Sequence, residues 1–111
     1  MNHWADFVIT AVRYDANHHR IIGLLVRRDE GDHLSTGSEW SREQVVAMIE
    51  AGYSFVTAKS RDGQWYRGAN VHVVEVDGEK FIRTDRNAQR ADNLGALPEL
   101  NSTMVHSIRS Y

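Results

Sequence analysis

The sequence predicts an α+β fold: a curved antiparallel sheet of five or six strands with one helix packed on it, in the order ββ(β)αβββ. Three observations lead there. Short runs rich in β-branched residues recur along the chain. One segment, opening at Ser41, carries both helix-start and helix-stop signals. Two Asp-Gly pairs, Asp62-Gly63 and Asp77-Gly78, each stand between strand-like runs, as tight hairpin turns require. A chain of 111 residues has no room for a second core, so residues 1–100 read as one domain and 101–111 as a weakly ordered tail.

Phe7 to Val12 and Ile21 to Val26 are the first two strands, joined by a loop from Asp15 to His19. If Tyr14 faces Arg20, then Asp6 faces Arg28 and Ala11 faces Gly23; the loop also permits the register one residue away. Apolar residues fall on both faces of these strands, which suits a central place in a sheet or a face covered by a partner. His33 to Glu39 is polar, contains Gly37 and is at best an edge strand.

The helix is signed at both ends. Ser41 and Gln44 have capping-box spacing, and Trp40 and Val45 have the spacing of a hydrophobic staple. Val45, Val46 and Ile49 form the apolar stripe, Met48 lies at its margin, and Gly52 takes the C′ position.

Tyr53 to Ser60 is the next strand, and the Asp62-Gly63 turn then sets Ser60 opposite Trp65 and Lys59 opposite Tyr66. Gly68 marks a bulge or bend. Across Asp77-Gly78, Val76 faces Glu79, Glu75 faces Lys80, Val74 faces Phe81, Val73 faces Ile82 and His72 faces Arg83. From Asp85 onward the pattern is lost, and Leu94, Leu97, Pro98 and Leu100 serve to pin the chain back on the core.

Several of these residues carry a resemblance. Trp40-Ser41-Arg42 at the helix start, Phe55-Val56-Thr57, the stretch from Val73 to Thr84, Asp92-Asn93-Leu94 and Leu97-Pro98 together resemble a small uncharacterised bacterial domain family, a domain of unknown function. The likeness covers roughly residues 6–100. It implies a bacterial cytosolic origin and brings with it no activity, cofactor or catalytic residue.

Composition narrows the function classes. A hydrophobic share of 41% and a charged share of 25% are those of a globular protein, not a disordered one. No apolar run is long enough to span a membrane. The absence of cysteine excludes disulfides, thiolate metal sites and thiol catalysis. The first residues lack the basic and apolar regions of a signal peptide, so a cytoplasmic location is expected. A net charge of −2 supplies no general field to draw in a polyanion. Eleven of the thirteen cations are Arg, the cation favoured at interfaces.

No catalytic motif, phosphate loop or metal-ligand spacing occurs. His18-His19 sits in a turn, where adjacent side chains diverge. His72 opposite Arg83 is an anion site or a half-buried packing pair. Asp29, Glu30 and Asp32 neighbour Arg27-Arg28, which neutralise them. The best binding candidate is Trp65-Tyr66-Arg67 with Lys59 and Arg61 across the hairpin, because aromatic faces beside cations anchor interfaces or stack nucleobases. The competing reading is a sheet face packed beneath the helix. The expectation is therefore a non-enzymatic interaction module with no cofactor and no metal. Its partner is a protein or a second copy of the chain, ranked above nucleic acid bound by the hairpin with Arg83, Arg86 and Arg90. An enzyme with an unrecognised site comes last.

Overall fold

In a computed structural model that describes residues 3–18, 20–87 and 89–100, the chain forms seven strands and one helix among those residues. They are β1 (Phe7–Tyr14), β2 (Ile21–Arg28), β3 (Ser38–Ser41), α1 (Arg42–Glu50), β4 (Phe55–Arg61), β5 (Gln64–Asn70), β6 (His72–Val76) and β7 (Glu79–Arg83). The α+β class stands. The strands divide between a five-stranded sheet, ordered β3-β2-β1-β4-β5, and a two-stranded β6-β7 sheet. The expected tail, residues 101–111, lies outside the described residues.

One pair departs from the antiparallel expectation: β1 and β4 run parallel, with Phe7 opposite Phe55 and Ile9 opposite Thr57. The reason is the helix. A strand–helix–strand connection returns the chain in its original direction, and here β3–α1–β4 steps over β2 and β1 to do so. Asp6 and Ser54 fix the start of the pair: the Asp6 carboxylate accepts the Ser54 N–H at 2.8 Å, and the Ser54 hydroxyl accepts the Asp6 N–H at 2.9 Å.

At both ends the β1–β2 register is the one a residue away that the loop permits, with Phe7 opposite Arg28 and Tyr14 opposite Ile21; between them irregularities at Thr10 and Ile22 shift the pairing by one more residue, so that Ala11 pairs with Leu25. The edge strand lies later than His33–Glu39, at Ser38–Ser41. Gly37 lets the chain approach β2 closely, since a Cβ there would stand 2.9 Å from Leu25 Cγ.

Both Asp-Gly turns form as the sequence predicts. Asp62 and Gly63, and likewise Asp77 and Gly78, all have positive φ, as a type I′ turn demands. The registers Lys59–Tyr66, Ser60–Trp65 and all five β6–β7 pairs follow. At Gly68 the β4–β5 register shifts, so that two β5 residues oppose Thr57. A Cβ on Gly68 would lie 2.2 Å from Thr57 Oγ1, and that hydroxyl accepts the Ala69 N–H.

At the helix start, Ser41 Oγ accepts the Gln44 N–H at 3.1 Å and Gln44 Oε1 accepts the Ser41 N–H at 2.8 Å. At its end, the Gly52 N–H reaches Ile49 O and the Tyr53 N–H reaches Met48 O, a Schellman closure around Gly52. The helix buries Val45, Val46 and Arg42, while Ile49 is only half-buried.

The five-stranded sheet has a core on each face. On the helix side, Ile9, Leu24, Val26 and Phe55 pack with Val45, Val46, Ile82 and Leu94. On the outer side, Ala5, Val8, Val56 and Ala58 are covered by Trp4, Leu34 and Trp65. Phe7 and Val8 thus serve different cores, as a period of two requires. The C-terminal pins act as expected: Leu94 and Leu97 are buried, the Val12 N–H donates to Pro98 O, and the Leu100 N–H donates to Val12 O.

Arg42 and Asp92 form a buried ion pair, with Arg42 Nε 2.9 Å from Asp92 Oδ2. Asp92 also accepts the Ile82 N–H at 2.9 Å and the Ile21 N–H at 3.2 Å, and Arg42 donates to Lys80 O. One carboxylate therefore joins α1, β2 and β7. Among the described residues, no helix is long and apolar enough to cross a membrane.

Candidate functional site

The β4–β5 hairpin brings Lys59, Arg61, Trp65, Tyr66 and Arg67 together in the sheet but not on one face. In an antiparallel pair, directly opposed side chains share a face and neighbours alternate. Lys59 opposes Tyr66 on the helix side, and the Arg61 guanidinium lies 5.0 Å from the Tyr66 ring centroid. Trp65, paired with Ser60, turns to the outer side. There it packs on the second core under the Arg27 guanidinium, 5.0 Å from its ring. Arg67 opposes Ala58 and follows Trp65 to the outer side, where it donates to Asn70 Oδ1.

Trp65 is accordingly half-buried packing, whereas Tyr66 is 45% exposed. A single flat surface of Trp, Tyr and Arg does not exist. The signal that separates the two aromatics was in the register itself: residues adjacent along a strand cannot share a face.

The cations on this hairpin differ from most of the others. Arg13, Arg20, Arg28, Arg42, Lys80, Arg83 and Arg90 each stand within ion-pair distance of a carboxylate. Arg27 is engaged by Thr10, the Ser35 carbonyl and the Trp65 ring. Among the described residues, Lys59, Arg61 and Arg67 have no ion-pair partner, and all three are exposed. Lys59, Arg61 and Tyr66 form one wall of an open groove of about 330 Å³, and Leu94, Gly95 and Leu97 form the other.

The Arg residues proposed to extend this patch do not join it as a group. Arg83 is buried, with its guanidinium held by Asp85 and the Ala91 carbonyl. Hydrogen bonding to Asp85 holds the Arg83 pKa above its ordinary value. Arg90 is paired with Glu79 and Asp77. His72 does face Arg83 in the register, but a guanidinium committed to the protein leaves no anion site there. Burial first, and Arg86 second, push the His72 pKa down.

Other candidates resolve into structure. Among the described residues, no group of three or more His, Asp or Glu side chains is arranged to hold a metal ion. His18 stacks on Tyr14 and bonds Glu99, while His19 lies outside the described residues. Asp29 is buried and accepts the N–H groups of Trp4, Ala5 and Gly31. A larger recess of about 630 Å³ has a floor of Phe7, Val26, Trp40 and Met48. Two of its hydroxyls are already engaged, Ser35 Oγ by the Arg28 N–H and Ser38 Oγ by the Trp40 indole.

Comparison with curated proteins and with solved structures gives no match. Residues 8–98 match a family described as protein of unknown function DUF3892, which spans the sheets, the helix and the Asp92 hub. The chain belongs to that family of domains of unknown function.

Proposed function

We propose that this domain is a non-enzymatic interaction module whose contact surface is the helix-side face of the β4–β5 hairpin. One observation carries the reading: Lys59 and Arg61 lack ion-pair partners among the described residues, and an exposed Tyr66 stands beside them on the same face. Unpaired cations beside an aromatic are the composition of an interface anchor. Each cation reserves its charge for an incoming group. The partner in this reading is a protein. A single exposed aromatic, with one face already taken by Arg61, offers few stacking platforms for successive bases.

The test compares wild type with a Lys59→Glu, Arg61→Glu, Tyr66→Ala variant in affinity purification from the organism that encodes the protein. Thermal stability is measured separately. A protein recovered with wild type and lost with the folded variant is expected. Equal recovery by both removes the hairpin from the contact.

Nucleic acid is the second reading, favoured by the same cations. Its signature is binding of a single-stranded oligonucleotide that weakens steeply with salt.

A further inference from the structure

We infer that the free edge of β5 takes up an extended acidic segment of a partner protein as an added strand. The inference rests on the interaction-module reading and names its mode. β5 is the last strand of the five-stranded sheet, and among the described residues nothing pairs with its outer edge. An unpaired edge presents a row of backbone donors and acceptors, the template used in strand addition. The other edge strand, β3, has one charged residue, Glu39, and it is already paired with Arg13.

Charge selects the occupant. Arg67 lies on one face of the edge, and Lys59 and Arg61 lie on the other, one strand inward. A strand added at β5 would lie beside Arg67 on one face and, on the other, across Tyr66 from Lys59 and Arg61, so acidic side chains on the first face meet Arg67 directly and those on the second enter the field of Lys59 and Arg61. Two copies of β5 would instead bring like charges together, which disfavours self-pairing at this edge. The chain's own residues 101–111 carry Arg109 and no acidic side chain, so they lack the complementary charge. The shift at Gly68 ends the regular stretch, which leaves Gln64 to Arg67 as the pairing segment.

The probe is a short labelled peptide alternating glutamate and threonine, titrated into the full chain. The controls are a backbone N-methylated version and a single-stranded oligothymidylate of equal charge. The peptide is expected to bind and to protect amides within Gln64–Asn70 from hydrogen exchange. Neutralising two rim charges by Lys59→Gln with Arg61→Gln is expected to weaken it about tenfold. N-methylation is expected to abolish binding, because it removes the donors that edge pairing uses.

Equal binding of the N-methylated peptide, or no gain of protection in β5, overturns strand addition while leaving a hairpin contact intact. Tighter binding of the oligothymidylate overturns it in favour of nucleic acid. A wild-type dimer dispersed by the same two substitutions overturns it in favour of a second copy. Partner recovery in the purification described above does not depend on the peptide, so the two readings fail separately.

Discussion

Arg42, the first residue of α1, and Asp92, fifty positions further along the chain, form an ion pair whose carboxylate is only 1% exposed. Removing one member leaves the other charged, buried and alone, which costs about 3–5 kcal/mol. Asp92→Ala is expected to fall in that range, because it also strips the Ile21 and Ile82 N–H groups of an acceptor. Arg42→Met combined with Asp92→Leu should recover part of the loss, since a paired apolar replacement removes both charges together. Denaturant melts of the three variants check the order.

Trp65 and Tyr66 separate the packing role of the hairpin from its surface role. Trp65→Ala uncovers Val56 and Ala58 and is expected to cost about 2–3 kcal/mol, whereas Tyr66→Ala should stay within about 0.5 kcal/mol of wild type. Equal losses in thermal melts would contradict the assignment of the two rings to opposite faces.

Gly68 sits where a side chain has no space. Gly68→Ala places a Cβ against Thr57 Oγ1 and 3.2 Å from the Thr57 carbonyl oxygen, and a loss of about 1–3 kcal/mol is expected. Gly78→Val meets open space but a φ of +81°, so its loss comes from backbone strain alone. Thr57→Ala should relieve part of the first defect and none of the second.

Acid should destabilise the fold in two stages. His72 has a folded pKa below its ordinary 6.5, through burial and then Arg86, so its contribution is complete above 6.5 and lost as pH falls through the folded value. Burial alone would raise the Asp29 pKa, but the N–H groups of Trp4, Gly31 and Ala5 together outweigh it and hold the carboxyl below 3.8. The Arg13 hydrogen bond holds Glu39 below 4.5. These carboxylates stabilise fully above their ordinary values and lose their effect as pH falls through the folded ones. Melting temperatures measured against pH should therefore begin to decline near pH 6.5, and His72→Gln should remove that first decline while leaving the second.

Ser41→Ala removes a cap that the Gln44 amide shares, and a cost of about 1 kcal/mol is expected by chemical denaturation.

The parts legible in the sequence are those encoded by neighbours. Asp62-Gly63 and Asp77-Gly78 fix φ locally, so the pairings that radiate from them follow by counting. The Ser41–Gln44 cap is equally local. The β1–β2 register is not, because the shifts at Thr10 and Ile22 lie in β-branched runs with no turn residue to mark them. The partnership of Arg42 with Asp92 was also illegible, since nothing in either residue names a partner fifty positions away. Within the candidate site the residues were identifiable one by one. Their division between two faces followed from the Lys59–Tyr66 register, while the lack of ion-pair partners emerges only once the contacts of Arg13, Arg20, Arg27, Arg28, Arg42, Lys80, Arg83 and Arg90 are seen in three dimensions.

The closure of Pro98–Leu100 onto Val12 bears on how the protein is made. On a ribosome, β1 and β2 emerge early and can pair at once, but β1 must wait for β4 on one side and then for the stretch beyond Leu97 to occupy its far end. Contacts of such long sequence separation close a chain slowly. The nascent domain would therefore hold its first strand incompletely flanked until the stretch from Leu97 to Leu100 has emerged and can bond to Val12.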